Sequence, residues 1–79
     1  MSQHRFNGEK YSVLCGWDRP LQGFFLVIEE NDELQYSNLY EAEPHPKSFD
    51  NFLIVLARFG IDMSDELLHQ LNQDKANDL

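Results

Sequence analysis

The five consecutive apolar residues Phe24-Phe25-Leu26-Val27-Ile28 constrain this chain more than any other feature. The run is bounded by Gly23 and by the acidic pair Glu29-Glu30, and it is apolar at odd and even positions alike. A strand of that kind buries both of its sides, so it belongs in the middle of a sheet with a neighbour on each flank. It is far too short to cross a bilayer.

The neighbours follow from the pattern on either side. From Lys10 to Trp17 the chain alternates, with Tyr11, Val13, Cys15 and Trp17 on one side and Ser12, Leu14 and Gly16 on the other, which predicts a strand. Pro20 cannot donate to a ladder, so Asp18-Arg19-Pro20 is a turn. After Ile28, the turn formers Asn31-Asp32 lead into a weaker alternation from Leu34 to Leu39, and a second hairpin closes a three-stranded antiparallel meander.

The register of that second hairpin decides which residues face outward, because a one-residue slip exchanges the two faces. A two-residue loop sets Glu29, Val27 and Phe25 opposite Leu34, Tyr36 and Asn38, respectively. A three-residue loop that includes Glu33 puts Leu26 and Ile28 with Leu34 and Tyr36. The three-residue loop is preferred because it gathers the larger apolar set on one side. It leaves Phe25, Val27, Glu29, Gln35, Ser37 and Leu39 outside.

The stretch from Glu41 to Lys47 has no periodicity, and His45 lies between Pro44 and Pro46, which push their predecessors into extended conformations. A stiff connector is expected. Ser48 then supplies an N-cap, Asp50 complements the dipole of the first turn, and Gly60 ends the helix. Phe49, Phe52, Leu53, Leu56 and Phe59 recur at helical spacing, widened by Ile54 and Val55, so this helix lies deep on the sheet. Ser64 opens a second helix, with Met63 stapled onto Leu68 and a narrow stripe of Leu67, Leu68 and Leu71.

Residues 1–9 and the tail beyond Asn72 show no pattern and are expected to fray. The fold class read from the sequence is α+β, a three-stranded antiparallel meander followed by two helices on one face (β-β-β-α-α). Residues 1–79 form one domain with an ordered core over about 10–72.

The function classes are narrowed by charge. Fourteen acidic against six basic side chains leave a net charge of −8. Such a surface repels phosphate backbones and anionic lipid, so no nucleic-acid or membrane partner is expected. It would steer the protein toward a basic surface. Cys15 is the single cysteine, so no internal disulfide is expected, and its apolar setting disfavours a reactive thiolate. The N-terminal residues lead into no apolar segment of signal-peptide type, and a cytoplasmic location is the expectation.

No chemistry-bearing constellation emerges. His4, His45 and His69 are scattered without metal-ligand spacing. The carboxylates at 29–33 and 62–66 lack the order of a calcium loop. Ser48 and Ser64 are taken by caps, and no Ser or Cys has an identifiable base. The four glycines are isolated, so none builds a phosphate loop. No catalytic residue, metal or cofactor is expected, and the chain reads as a non-enzyme.

What remains is binding. Trp17 and Arg19 in the first hairpin turn are residue types enriched at interface hot spots. A sheet covered by helices on one side leaves Phe25, Val27 and Leu39, with Leu14, as an apolar patch for a partner protein or for self-association. The leading expectation is a small acidic protein-binding or regulatory module. The alternative is a nucleic-acid mimic that presents carboxylates to a basic protein, with a small ligand binder or enzyme as a third class.

Overall fold

The computed structural model describes residues 2–78. Four strands, β1 His4–Asn7, β2 Ser12–Asp18, β3 Gly23–Glu30 and β4 Glu33–Ser37, form an antiparallel sheet in chain order. A 3₁₀ turn at Asn38–Tyr40 follows, then helices α1 Asp50–Arg58 and α2 Asp65–Asn77. The α+β class and the antiparallel sheet with two helices are as expected, and the apolar run is an inner strand flanked by β2 and β4.

The strand count is corrected from three to four. Residues 4–7, expected to be irregular, pair with β2 in the register His4↔Cys15 and Phe6↔Val13. Four residues hold only two alternations, too few to stand out, and the partner strand orders them. Ser2 extends the pairing: its N–H donates to the Trp17 carbonyl at 2.9 Å, and its Oγ accepts from the Trp17 N–H at 2.9 Å.

The β3–β4 hairpin corrects the register expectation. Asn31 and Asp32 both adopt positive φ, 51° and 65°, in a two-residue turn with Glu30 opposite Glu33 and Glu29 opposite Leu34. The register then shifts, so that Ile28 faces Tyr36 and Val27 faces Ser37. Gln35 is the extra residue of a β-bulge. The two registers that excluded each other on the sequence therefore follow one another in space. Leu34 goes outward, against expectation, whereas Tyr36 points inward and Ser37 outward as expected.

The inner face carries Val13, Cys15, Trp17, Phe24, Leu26, Ile28 and Tyr36, all buried together with Phe49, Phe52, Val55, Leu56 and Leu71 of the helical layer. Edge-to-face rings run through this core, Trp17 on Phe24 (5.1 Å), Phe24 on Phe49 (5.5 Å) and Phe49 on Phe52 (5.3 Å). That geometry suits the ring quadrupoles. Phe52 and Leu56 are the deep residues of α1, while Leu53 and Phe59 are partly buried.

Ser48 is not the N-cap of α1. Its Oγ accepts from the Asp50 N–H at 3.2 Å, and Phe49 occupies the cap position with no side-chain bond, its ring drawn into the core instead. Gly60, at φ 70°, ends the helix as expected, with Ile61 N–H returning to the Leu56 carbonyl and Gly60 N–H to that of Ala57. This paired return is the Schellman arrangement. Ser64 caps α2 through the Leu67 N–H at 3.1 Å.

Helix α2 runs to Asn77, past the point where fraying was expected. Its inward stripe continues in polar form: Leu71 is fully buried, and the next inward position, Asp74, is 8% exposed. His4 Nε2–H donates to Asp74 Oδ2 at 2.6 Å, tying the helix to β1. The Lys75 ammonium reaches the Lys47 carbonyl. Among the described residues no helix is long and apolar enough to cross a membrane.

Candidate functional site

Both helices pack on the inner face, so they leave the outer face of the sheet uncovered. Strand alternation and the bulge place Arg5, Leu14, Val27 and Ser37 in one cross-strand row, and Asn7, Ser12, Glu29 and Leu34 in the next. Gly16 lies opposite Phe25. Leu14, Phe25 and Val27 are only partly buried, and Leu34 and Leu39 are 50% and 70% exposed.

Phe25, Val27 and Leu39 come together in a hollow of about 250 Å³, with Gln3, Asp18, Ser37, Asn38 and His45 around them. Small-molecule sites run from roughly 300 Å³ upward, so this hollow is scaled to one side chain rather than to a cofactor.

The connector builds one wall. Phe24 N–H donates to the Pro46 carbonyl at 2.8 Å, so residues 45–46 lie beside the opening of β3 after β4 has ended. Asn38 Nδ2 donates to the Pro44 carbonyl at 2.8 Å and closes the loop on itself. The fit depends on Gly23, because a Cβ there would meet the His45 carbonyl oxygen at 2.1 Å. His45 Nδ1 is sealed from solvent with no hydrogen-bond partner among the described residues. An unmade bond of this kind costs about 1–3 kcal/mol. Asp18, 8% exposed, is satisfied locally: its Oδ1 accepts from the Leu21 N–H at 3.3 Å.

The five residues singled out on the sequence therefore divide. Phe25, Val27 and Leu39 share the hollow. Trp17 lies on the opposite side of the sheet, 3% exposed in the core, because it alternates with Asp18 along β2. Arg19 is exposed on the turn, with its Nε 3.6 Å from Asp78 Oδ2. The sequence reading missed Leu34, whose outward direction follows from the two-residue turn, and His45, which was read as part of a spacer.

A second groove of about 320 Å³ runs between α1 and the connector, lined by Tyr36, Glu41, Glu43, Asn51, Ile54 and Arg58 among others. The Tyr36 hydroxyl donates to Glu41 Oε1 at 3.0 Å. Burial, followed by that hydrogen bond and the Glu41 charge, pushes its pKa up to about 12, so the phenol stays neutral and is no base near pH 7. Cys15 is fully buried, and burial pushes its thiol up to about 12 as well. Among the described residues, no group of three or more His, Cys, Asp or Glu side chains is placed to hold a metal ion.

The acidic residues are distributed over the β3–β4 tip, the connector, the start of α2 and its later turns. Comparison with known proteins leaves the reading to this geometry: no protein-family model, no curated protein and no solved structure matches the chain.

Proposed function

We propose that this protein is a small protein-binding module whose outer sheet face receives an apolar side chain from a partner with a basic surface. The observation that carries the reading is the hollow of Phe25, Val27 and Leu39, apolar at its floor and open on the side of the sheet away from both helices. Exposed apolar surface gathered in one place is what a partner buries. The buried His45 Nδ1, unpartnered among the described residues, adds a polar group beside the hollow that a bound chain can satisfy or leave strained. Asp18 and Glu29 lie on this face together with Arg5, and the chain as a whole carries −8. Charge of that sign raises the encounter rate with a basic surface and disfavours a second copy. In this reading the module positions or masks its partner and performs no reaction of its own.

The test is a chemical-shift titration of the ¹⁵N-labelled protein with a lysine-rich peptide carrying a central Leu-Phe pair. A glutamate-rich peptide with the same pair serves as the control. Shifts from the basic peptide should centre on Phe25, Val27 and Leu39 and vanish with Val27→Lys. Shifts confined to the carboxylates of the β3–β4 tip would reduce the interaction to bulk charge and reject the hollow. A dimeric mass by sedimentation, made monomeric by Val27→Lys, would assign the face to a second copy instead.

A further inference from the structure

The turn between β2 and β3 gathers three side-chain donors that the outer face does not use. Trp17 is locked in the core, and its indole Nε1–H donates to Asp78 Oδ1 at 3.0 Å. Gln22 Nε2 donates to the same oxygen at 2.7 Å and also to the Arg19 carbonyl at 2.7 Å. Arg19 Nε stands 3.6 Å from the other carboxylate oxygen.

The Trp17 and Gln22 donors are set without help from Asp78, Trp17 by its burial and Gln22 by its bond to the Arg19 carbonyl. Asp18 Oδ1 holds the Leu21 N–H, and the Gln22 N–H returns to the Arg19 carbonyl at 3.2 Å. Gln22 itself is held at φ 52°, where a non-glycine side chain is strained. Strain of this sort persists only where the surroundings over-determine it. The acceptor comes from a weaker element. Asp78 is the left-handed C-cap of α2, after a last turn whose residues 75–77 are all exposed.

We propose that turn 17–22 is a carboxylate-binding site, that the chain's own Asp78 occupies it, and that a single acidic side chain on the otherwise basic surface of a partner protein, the kind of surface a chain of charge −8 attracts, takes Asp78's place. Two neutral N–H donors on one oxygen and a single cation beside the other match a monoanion. The present occupant, an Asp that closes a helix, shows that the backbone of a polypeptide can approach. The contacts hold the Asp78 carboxyl below its ordinary pKa, through the Trp17 bond first, then that of Gln22, with the Arg19 charge adding to them. A tethered acceptor competes at high effective concentration, so an outside carboxylate is admitted when α2's last turn lifts away.

The chain has one Trp, so one indole N–H resonance reports the site. Asp78→Gly suits the left-handed backbone and removes the carboxylate; Asp78→Asn, nearly isosteric, is the second variant. The indole resonance should move in both. N-acetyl-aspartate N-methylamide should return it saturably in the variants and leave wild type unmoved, and the asparagine analogue should do neither. Adding Gln22→Ala to Asp78→Gly should weaken the titration roughly fivefold, the worth of one ordinary hydrogen bond. An indole resonance unmoved by Asp78→Gly would show that the contact is absent in solution. One that moves yet ignores the aspartate probe would reduce the contact to an internal clasp. Either result overturns the proposal.

Discussion

Gly23→Ala tests whether the connector is fastened to the sheet as closely as the hollow requires. A Cβ on Gly23 would sit 2.1 Å from the His45 carbonyl oxygen and 2.5 Å from its carbonyl carbon. Both are backbone atoms, and ordinary non-bonded contact needs about 3.5 Å, so the connector must retreat by about 1 Å. The adjacent Phe24 N–H bond to the Pro46 carbonyl is 2.8 Å long and cannot survive that movement intact. Phe24 is fully buried, and stranding its amide costs about 1–3 kcal/mol. Alanine restricts the unfolded chain and returns about 0.4–1 kcal/mol. The balance is a loss of about 1–2 kcal/mol, which lowers the melting temperature of a domain this size by roughly 5–15 °C. Gly8→Ala is the internal control, since the nearest atom to its Cβ would be the Tyr11 carbonyl oxygen at 3.7 Å. Thermal melts of the two variants, with hydrogen exchange at the Phe24 amide, decide the matter. A Gly23→Ala protein that melts with or above Gly8→Ala would refute the close approach and the wall it builds.

Other expectations are read from the same structure. Phe52→Ala should cost about 3–5 kcal/mol for a side chain 1% exposed, whereas Ile54→Ala on the same helix, 54% exposed, should stay within about 0.5 kcal/mol; equal urea midpoints would reject the placement of α1. Cys15 should react with a thiol reagent only as fast as the fold opens, so native labelling at the denatured rate would contradict its burial. Asp78 has a folded pKa below its unfolded one. Its contribution is therefore fully present above about pH 4 and fades as the pH falls through the folded value. The stability difference between wild type and Asp78→Asn should hold steady near neutrality and shrink in acid; a difference unchanged down to pH 2 would sink that assignment.

The apolar run, the alternation of β2 and the helical stripe of α1 were legible because each rests on side chains that bury against many neighbours. β1 was not, since a four-residue edge strand takes its order from Cys15 and Val13 across the ladder. The hairpin register was half legible: the preference for Tyr36 inside was sound, but the two-residue turn and the bulge that reconcile it with Asn31-Asp32 are a tertiary compromise. Trp17 and Arg19 looked like one exposed pair, yet strand alternation sends Trp17 inward while Arg19 leaves on the turn. Of the candidate patch, Phe25 and Val27 were readable from parity once the helices claimed Leu26 and Ile28. The role of His45 depended on where the connector lands.

The continuation of α2 exposes the limit of reading a helix by its apolar stripe alone. Leu67, Leu71, Asp74 and Asp78 recur at spacings of four, three and four, which is one face of a helix. The stripe changes from apolar to acidic halfway, and a search for buried leucines loses it at Leu71. A small domain has little apolar surface to spare, and here His4 and the β2–β3 turn meet the acidic half of the stripe with donors instead. Such contacts fix orientation more than they add stability, because partly exposed ion pairs are worth little. The Leu71 half of α2 is thus held by burial, and the Asp78 half by polar bonds that an outside carboxylate can imitate. That division is why the carboxylate site lies at the end of α2 rather than beneath it.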